Sequence, residues 1–206
     1  MLQRFWWQSA AFSILSSSIV SLSIGIPVKV SAKPAEVFIP HLERIQQTLP
    51  PNYTMRLPSA ILLGGPANED FIDTLKVRVF ASDLTPGLVV GLYTCEDSSQ
   101  FCLVGTFSVS SIRSEIAQQQ YAKHRSAVMP VTLAPKIRGY LLDGPLLRPR
   151  SEFSSVMWQQ DGRFYSIRFA YPERQNILFM AKLMANGDPV VSSNPEFKEP
   201  PMAGNR

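Results

Sequence analysis

The chain has 206 residues and is poor in the side chains that carry most enzyme chemistry, with only two cysteines and two histidines. A Ser-His-Asp hydrolase needs a placed histidine. His41 and His124 both fall on segments that read as exposed helices, and no G-x-S-x-G elbow accompanies them. Neither G-x-x-x-x-G-K-[ST] nor G-x-G-x-x-G is present, and the Gly64-Gly65-Pro66 turn does not stand in for a phosphate loop. A transition-metal site needs clustered His, Cys, Asp and Glu, and the sequence holds none. Glu69-Asp70 with Asp73, and Glu96-Asp97, lack the alternating loop of an EF-hand and read as solvated charges. A carboxylate pair assembled by the fold remains open as acid and base.

Charge is scarce too. Charged side chains make up 17% of the chain and hydrophobic ones 45%, the composition of one globular domain with appendages. The formal charge is +4, and setting aside Arg4 and Lys29 among the first 32 residues leaves 18 basic against 16 acidic side chains. No clustered basic face of the kind nucleic acid requires is evident. Arg148-Pro149-Arg150 is the densest basic spot and reads as a solvated loop.

What the sequence does contain begins with an export signal over residues 1–32. Arg4 supplies the positive start, and Ser9 to Val28 is uncharged and apolar but interrupted by serines. Pro27 breaks the run, and Val30-Ser31-Ala32 presents small or short residues for cleavage after Ala32. The competing expectation is an uncleaved anchor, because the run is about long enough to span a bilayer.

The two cysteines lie in the clearest strand pattern, Pro86 to Ser111. Opposing Cys95 with Cys102 across a four-residue loop, Asp97 to Gln100, opposes Leu88 with Val109, Val90 with Phe107 and Leu92 with Gly105. Those residues share one face, and Tyr93, Val104 and the sulfurs share the other. The register makes Cys95–Cys102 a non-hydrogen-bonded pair, the closest kind. A disulfide fits export. Closing the loop stabilises the fold by about 2.5 kcal/mol on a chain-entropy argument. C-x6-C lacks the C-x-x-C geometry and the adjacent cations of a redox pair, so the bond is read as structural.

A second hairpin is centred on Asp161-Gly162, the favoured two-residue turn. Trp158 opposes Tyr165, Val156 opposes Ile167 and Ser154 opposes Phe169. The other face carries Ser155, Gln159, Ser166 and Arg168, with Met157 and Phe164 as apolar exceptions. Tyr53 to Leu57, Leu75 to Val79, Val128 to Leu133 and Ile137 to Leu142 read as further strands, and Pro58 and Pro130 confine two of them to edges.

Helical spacing appears three times. Pro40 to Thr48 pairs with apolar Phe38, Leu42, Ile45 and Leu49. Ser111 to Ser126 carries Ile112, Ile116 and Tyr121 on one side, with Ser111 or Ser114 as N-cap. A helix over 172–186 places Pro172 first and Gly187 just past its end, with Ile177, Met180, Ala181 and Met184 as a core stripe. The expected fold is α+β: a single curved antiparallel sheet of five to seven strands, built on hairpins 88–109 and 154–169. The 172–186 helix and the short N-terminal helix pack on its apolar face. Residues 33–187 form this domain, and 188–206 read as a disordered Pro-rich tail.

Gly139-Tyr140, Val156-Met157-Trp158, Asp161-Gly162, Phe164-Tyr165-Ser166-Ile167 and the helix Ile177 to Met184 resemble the end of a domain of unknown function. That domain occurs in exported or membrane-anchored bacterial proteins, some of them sensor domains of anti-sigma type. The mature chain is also similar to secreted proteins of photosynthetic bacteria. The resemblance covers about residues 137–187 and implies an extracytoplasmic β-rich domain with no catalytic residues. Together these readings point to a binding or interaction module of the periplasm, a thylakoid lumen or the extracellular space. Its ligand is a protein, a peptide or a lipid. No catalytic, cofactor-binding or metal-binding residue, no cofactor and no nucleic acid are expected. A membrane-tethered sensor domain and a small exported hydrolase are the alternatives.

Overall fold

The structure is a computed structural model that describes residues 33–64, 69–82, 86–97, 99–126, 130–170 and 174–194. The export-signal reading of residues 1–32 lies outside them. Two hairpins organise the rest. Strand β3 (Gly87–Tyr93) pairs with β4 (Leu103–Ser111), and β7 (Phe153–Gln160) pairs with β8 (Arg163–Ala170). Leu88 lies opposite Val109, Val90 opposite Phe107 and Leu92 opposite Gly105. Trp158 lies opposite Tyr165, Val156 opposite Ile167 and Ser154 opposite Phe169. Both registers agree with the sequence reading. The second turn holds Asp161 at φ 51° and Gly162 at φ 68°, the two positive values that a type I′ turn demands.

β4 and β8 join the hairpins side by side. With β2 (Lys76–Ala81), β5 (Pro130–Ala134) and β6 (Ile137–Leu142) they make a seven-stranded antiparallel sheet, ordered β2-β3-β4-β8-β7-β6-β5. Pro130 opens the edge strand β5, where its missing N–H costs no ladder bond. β1 (Thr54–Arg56) stands apart from this sheet. It pairs with β9 (Pro189–Val191), Met55 facing Val190, in a two-stranded ribbon that the sequence did not suggest. Ordered chain therefore continues past Asp188, where the tail was expected to begin. Ser192 N donates to Tyr53 O, and Asn194 Nδ2 donates to Leu49 O at 2.7 Å.

One face of the large sheet carries the main core. Phe107, Trp158, Tyr165, Ile167 and Phe169 are fully buried there, each stabilising the fold by roughly 1.5–3 kcal/mol. Helix α1 (Leu42–Thr48) and the 3-10 turn Glu36–His41 before it bring Phe38 and Ile45 onto this face. Phe38 meets Phe107 edge-on with ring centroids 5.5 Å apart, and Phe107 meets Phe169 at 5.5 Å. A short helix, α2 (Glu69–Thr74), leads into β2. Helix α4 (described over Arg174–Asn186) buries Ile177, Met180, Ala181 and Met184, so the methionine stripe is core. Polar locks hold it in place. Trp158 Nε1 donates to Gln160 Oε1, whose amide donates to Ala185 O, each at 3.0 Å.

Two local expectations are corrected. A β-bulge between Leu92 and Tyr93 brings Tyr93 opposite Leu103 rather than Val104. The ladder ends there, so Cys95 and Cys102 lie beyond it; they form the disulfide all the same, with Cα atoms 5.7 Å apart. The middle helix, α3 (Glu115–Ser126), packs on the opposite face of the sheet, whereas its expected apolar side included Ile116. Ile116 is 41% exposed, and the buried positions are Ala117 and His124. Ser114 Oγ caps the helix by accepting from Ala117 N at 3.3 Å. Met157 and Phe164, the two apolar exceptions on the polar face, are what Ala117 and Tyr121 rest on. Tyr121 and Phe164 lie 4.6 Å apart between ring centroids.

Candidate functional site

Because α3 covers only part of the second face, a cleft remains between it and the segment 147–151. The floor is the polar side of the sheet: Thr106 from β4, Ser166 and Arg168 from β8, and Phe153, Ser155 and Met157 from β7. Gln120, Lys123 and His124 of α3 form one wall, and Leu147 to Ser151 form the other, enclosing about 480 Å3. Alternation along β7 and β8 aims these side chains away from the core, opposite to Val156 and Ile167.

The far wall is fixed by a small polar knot. Gly144 N donates to Ser154 Oγ at 3.0 Å, and Ser154 Oγ donates to Asp143 Oδ1 at 3.4 Å. Arg174 of α4 closes the knot through an ion pair to the buried Asp143 carboxylate. A Cβ on Gly144 would stand 2.2 Å from Phe153 O, so glycine is required for this close approach. Ser151 N donates to Gly144 O at 3.0 Å, which brings the chain back toward β7.

The cleft is electropositive. Lys123, Arg148, Arg150 and Arg168 line it, and among the described residues no carboxylate does. Among the described residues the ion pairs are Arg56–Asp161, Lys76–Glu96, Arg78–Glu96 and Arg174–Asp143, and none engages these four cations. Arg168 lies over Phe153, its guanidinium carbon 4.5 Å from the ring centroid, which holds the charge without neutralising it. Arg148 and Arg150 are exposed, as the sequence suggested, but their loop forms the rim of this cavity.

His124 is the residue that sequence reasoning misplaced. It is 7% exposed, and both ring nitrogens are engaged. Nδ1 lies 2.7 Å from Gln120 O, one turn earlier in α3, and Nε2 lies 2.8 Å from Ser155 Oγ on β7. A carbonyl oxygen can only accept, so in the neutral ring Nδ1–H donates to Gln120 and Nε2 accepts from the Ser155 hydroxyl. Burial pushes the His124 pKa below the usual imidazole value; the Gln120 carbonyl opposes that shift and nearby Lys123 adds to it. Ala117, Tyr121 and His124 share a helical stripe, and Met157 and Phe164 marked a covered patch on an otherwise polar face. Combined, those two signals could have placed His124 against the sheet.

The remaining candidates lie elsewhere. His41 sits at the start of α1, half-buried, its pKa lowered by burial and then by Arg44. Cys95 and Cys102 staple the end of the β3–β4 hairpin and do not line the cleft. Asp70 and Asp73 lie on α2, and Glu96 is held between Lys76 and Arg78. Among the described residues, no three His, Cys, Asp or Glu side chains gather as a metal-ligand set. Among them, too, no helix is long and apolar enough to cross a membrane. No protein-family model, curated protein or solved structure matches this chain.

Proposed function

We propose that this chain is an exported binding module whose ligand presents an anionic group to the cleft between α3 and residues 147–151. The observation that carries the reading is the charge of the lining: among the described residues, four cations, Lys123, Arg148, Arg150 and Arg168, and no carboxylate. Arginine forks match phosphate and carboxylate oxygens in pairs, and each charge-assisted hydrogen bond is worth roughly 1.5–3 kcal/mol. Leu142, Leu147 and Met157 line the same cavity and offer apolar contact to the body of such a ligand. The Cys95–Cys102 disulfide supports an oxidising compartment, the periplasm or a lumen.

Isothermal titration with phenyl phosphate and with benzoate tests the reading and separates phosphate from carboxylate. Binding of either, weakened about tenfold or more in R168Q and falling with added salt, is expected. Absence of binding by both anions at low salt, or binding unaffected by R168Q, would sink it.

A further inference from the structure

Ser155 carries chemistry that anion binding leaves unused. Its hydroxyl donates to His124 Nε2 across 2.8 Å, and the other ring nitrogen is held by the Gln120 carbonyl at 2.7 Å. The order is nucleophile, base, orienter. A backbone carbonyl takes the orienting place that a carboxylate holds in a three-residue triad, fixing the tautomer without a full negative charge. Ser155 is half-buried and lines the cavity, so a ligand in the cleft reaches its oxygen. Arg168 is its direct cross-strand partner on β8 and lines the same floor.

We propose that Ser155 is a nucleophile, with His124 as its general base, toward an activated carboxylic ester that carries a negatively charged group. The charge of that substrate rests on the anion-binding reading; the nucleophile does not. In the first step Ser155 Oγ bonds to the ester carbonyl carbon while its proton passes to His124 Nε2. The carbonyl oxygen takes up negative charge on the side of Arg168. Collapse breaks the bond to the alcohol oxygen, which leaves with the proton from His124. A water molecule then attacks the acyl-serine with the same base, releasing the carboxylic acid and free Ser155. A histidine bonded at both nitrogens can also serve packing alone, and a covalent probe separates the two roles.

The experiment treats the purified chain with a neutral alkyl fluorophosphonate, whose phosphorus bonds to an activated serine oxygen as fluoride leaves. One adduct is expected, mapping to Ser155 by peptide mass. Ser155→Ala removes it, and His124→Gln slows it at least about a hundredfold. Phenyl phosphate in the cleft slows labelling of the wild-type chain. No adduct on the wild-type chain, or an adduct mapped to another residue, overturns the proposal whether or not the variants fold. An adduct at Ser155 whose rate ignores phenyl phosphate keeps the nucleophile and overturns the anionic substrate. Anion binding without any adduct leaves the binding module standing and removes the catalytic step.

Discussion

His124 and Ser155 are 31 residues apart in sequence, and their side chains meet at 2.8 Å. This contact ties α3 to the polar face of the sheet and places an imidazole, its pKa lowered by burial, on the wall of a cationic cleft.

That imidazole makes stability depend on pH in a defined direction. The folded-state pKa of His124 lies below its unfolded value of about 6.5, because burial opposes the charged form. Between those two values the unfolded chain binds more protons than the folded one. Stability therefore declines as pH falls below about 6.5 and the decline ends below the folded pKa. His41, also lowered, adds to the slope with the same sign. Denaturant midpoints between about pH 5 and pH 8 should show the decline in the wild-type chain and a flatter profile in His124→Gln. An equal slope in both would remove His124 as its source.

Gly105 and Gly162 separate two reasons for glycine. A Cβ on Gly105 would stand 2.5 Å from the Phe169 ring, which packs across this position in the core. Gly105→Ala is expected to cost about 1–3 kcal/mol through overpacking. Gly162 has open space around it but φ +68°, so Gly162→Ala is strained only through its backbone, by about 1–2 kcal/mol. Pairing Gly105→Ala with Phe169→Leu should recover part of the first loss and none of the second, as read from urea midpoints.

α3 is held by a small cluster in which Ala117 meets Met157 and Phe164. The strands β3, β4 and β8 run through the main core instead. Amide exchange should therefore show α3 opening at lower free energy than those strands. Met157→Ala should lower the protection of α3 by about tenfold or more while leaving β4 and β8 nearly unchanged. Uniform loss across the sheet would mean that α3 and the sheet open as one unit.

Much of this architecture was legible because period-2 alternation fixes register. Leu88, Val90 and Leu92 could face only Val109, Phe107 and Gly105, and Asp161-Gly162 pinned the second hairpin. The bulge after Leu92 was not legible, since one extra residue on one strand leaves the alternation on either side intact. The β1–β9 ribbon was hidden for another reason. Pro189–Val191 is three residues long and depends on ladder partners, Thr54 to Arg56, far away in sequence. The cleft was missed because the polar helix α3 gave a weak stripe, and Ile116 drew the reading to the wrong side. A basic loop, a buried histidine and a strand serine become one site only after the sheet has brought them together.

The central claim is that the cleft between α3 and residues 147–151 takes up an anion. The most direct measurement is a titration of the isotope-labelled chain with phenyl phosphate, followed by amide and arginine side-chain NMR shifts. The account predicts saturable shifts concentrated at Lys123, Ser155, Arg168 and residues 147–151. Shifts centred on Lys136 and Arg138 at the far end of the sheet, or none that saturate, would contradict it.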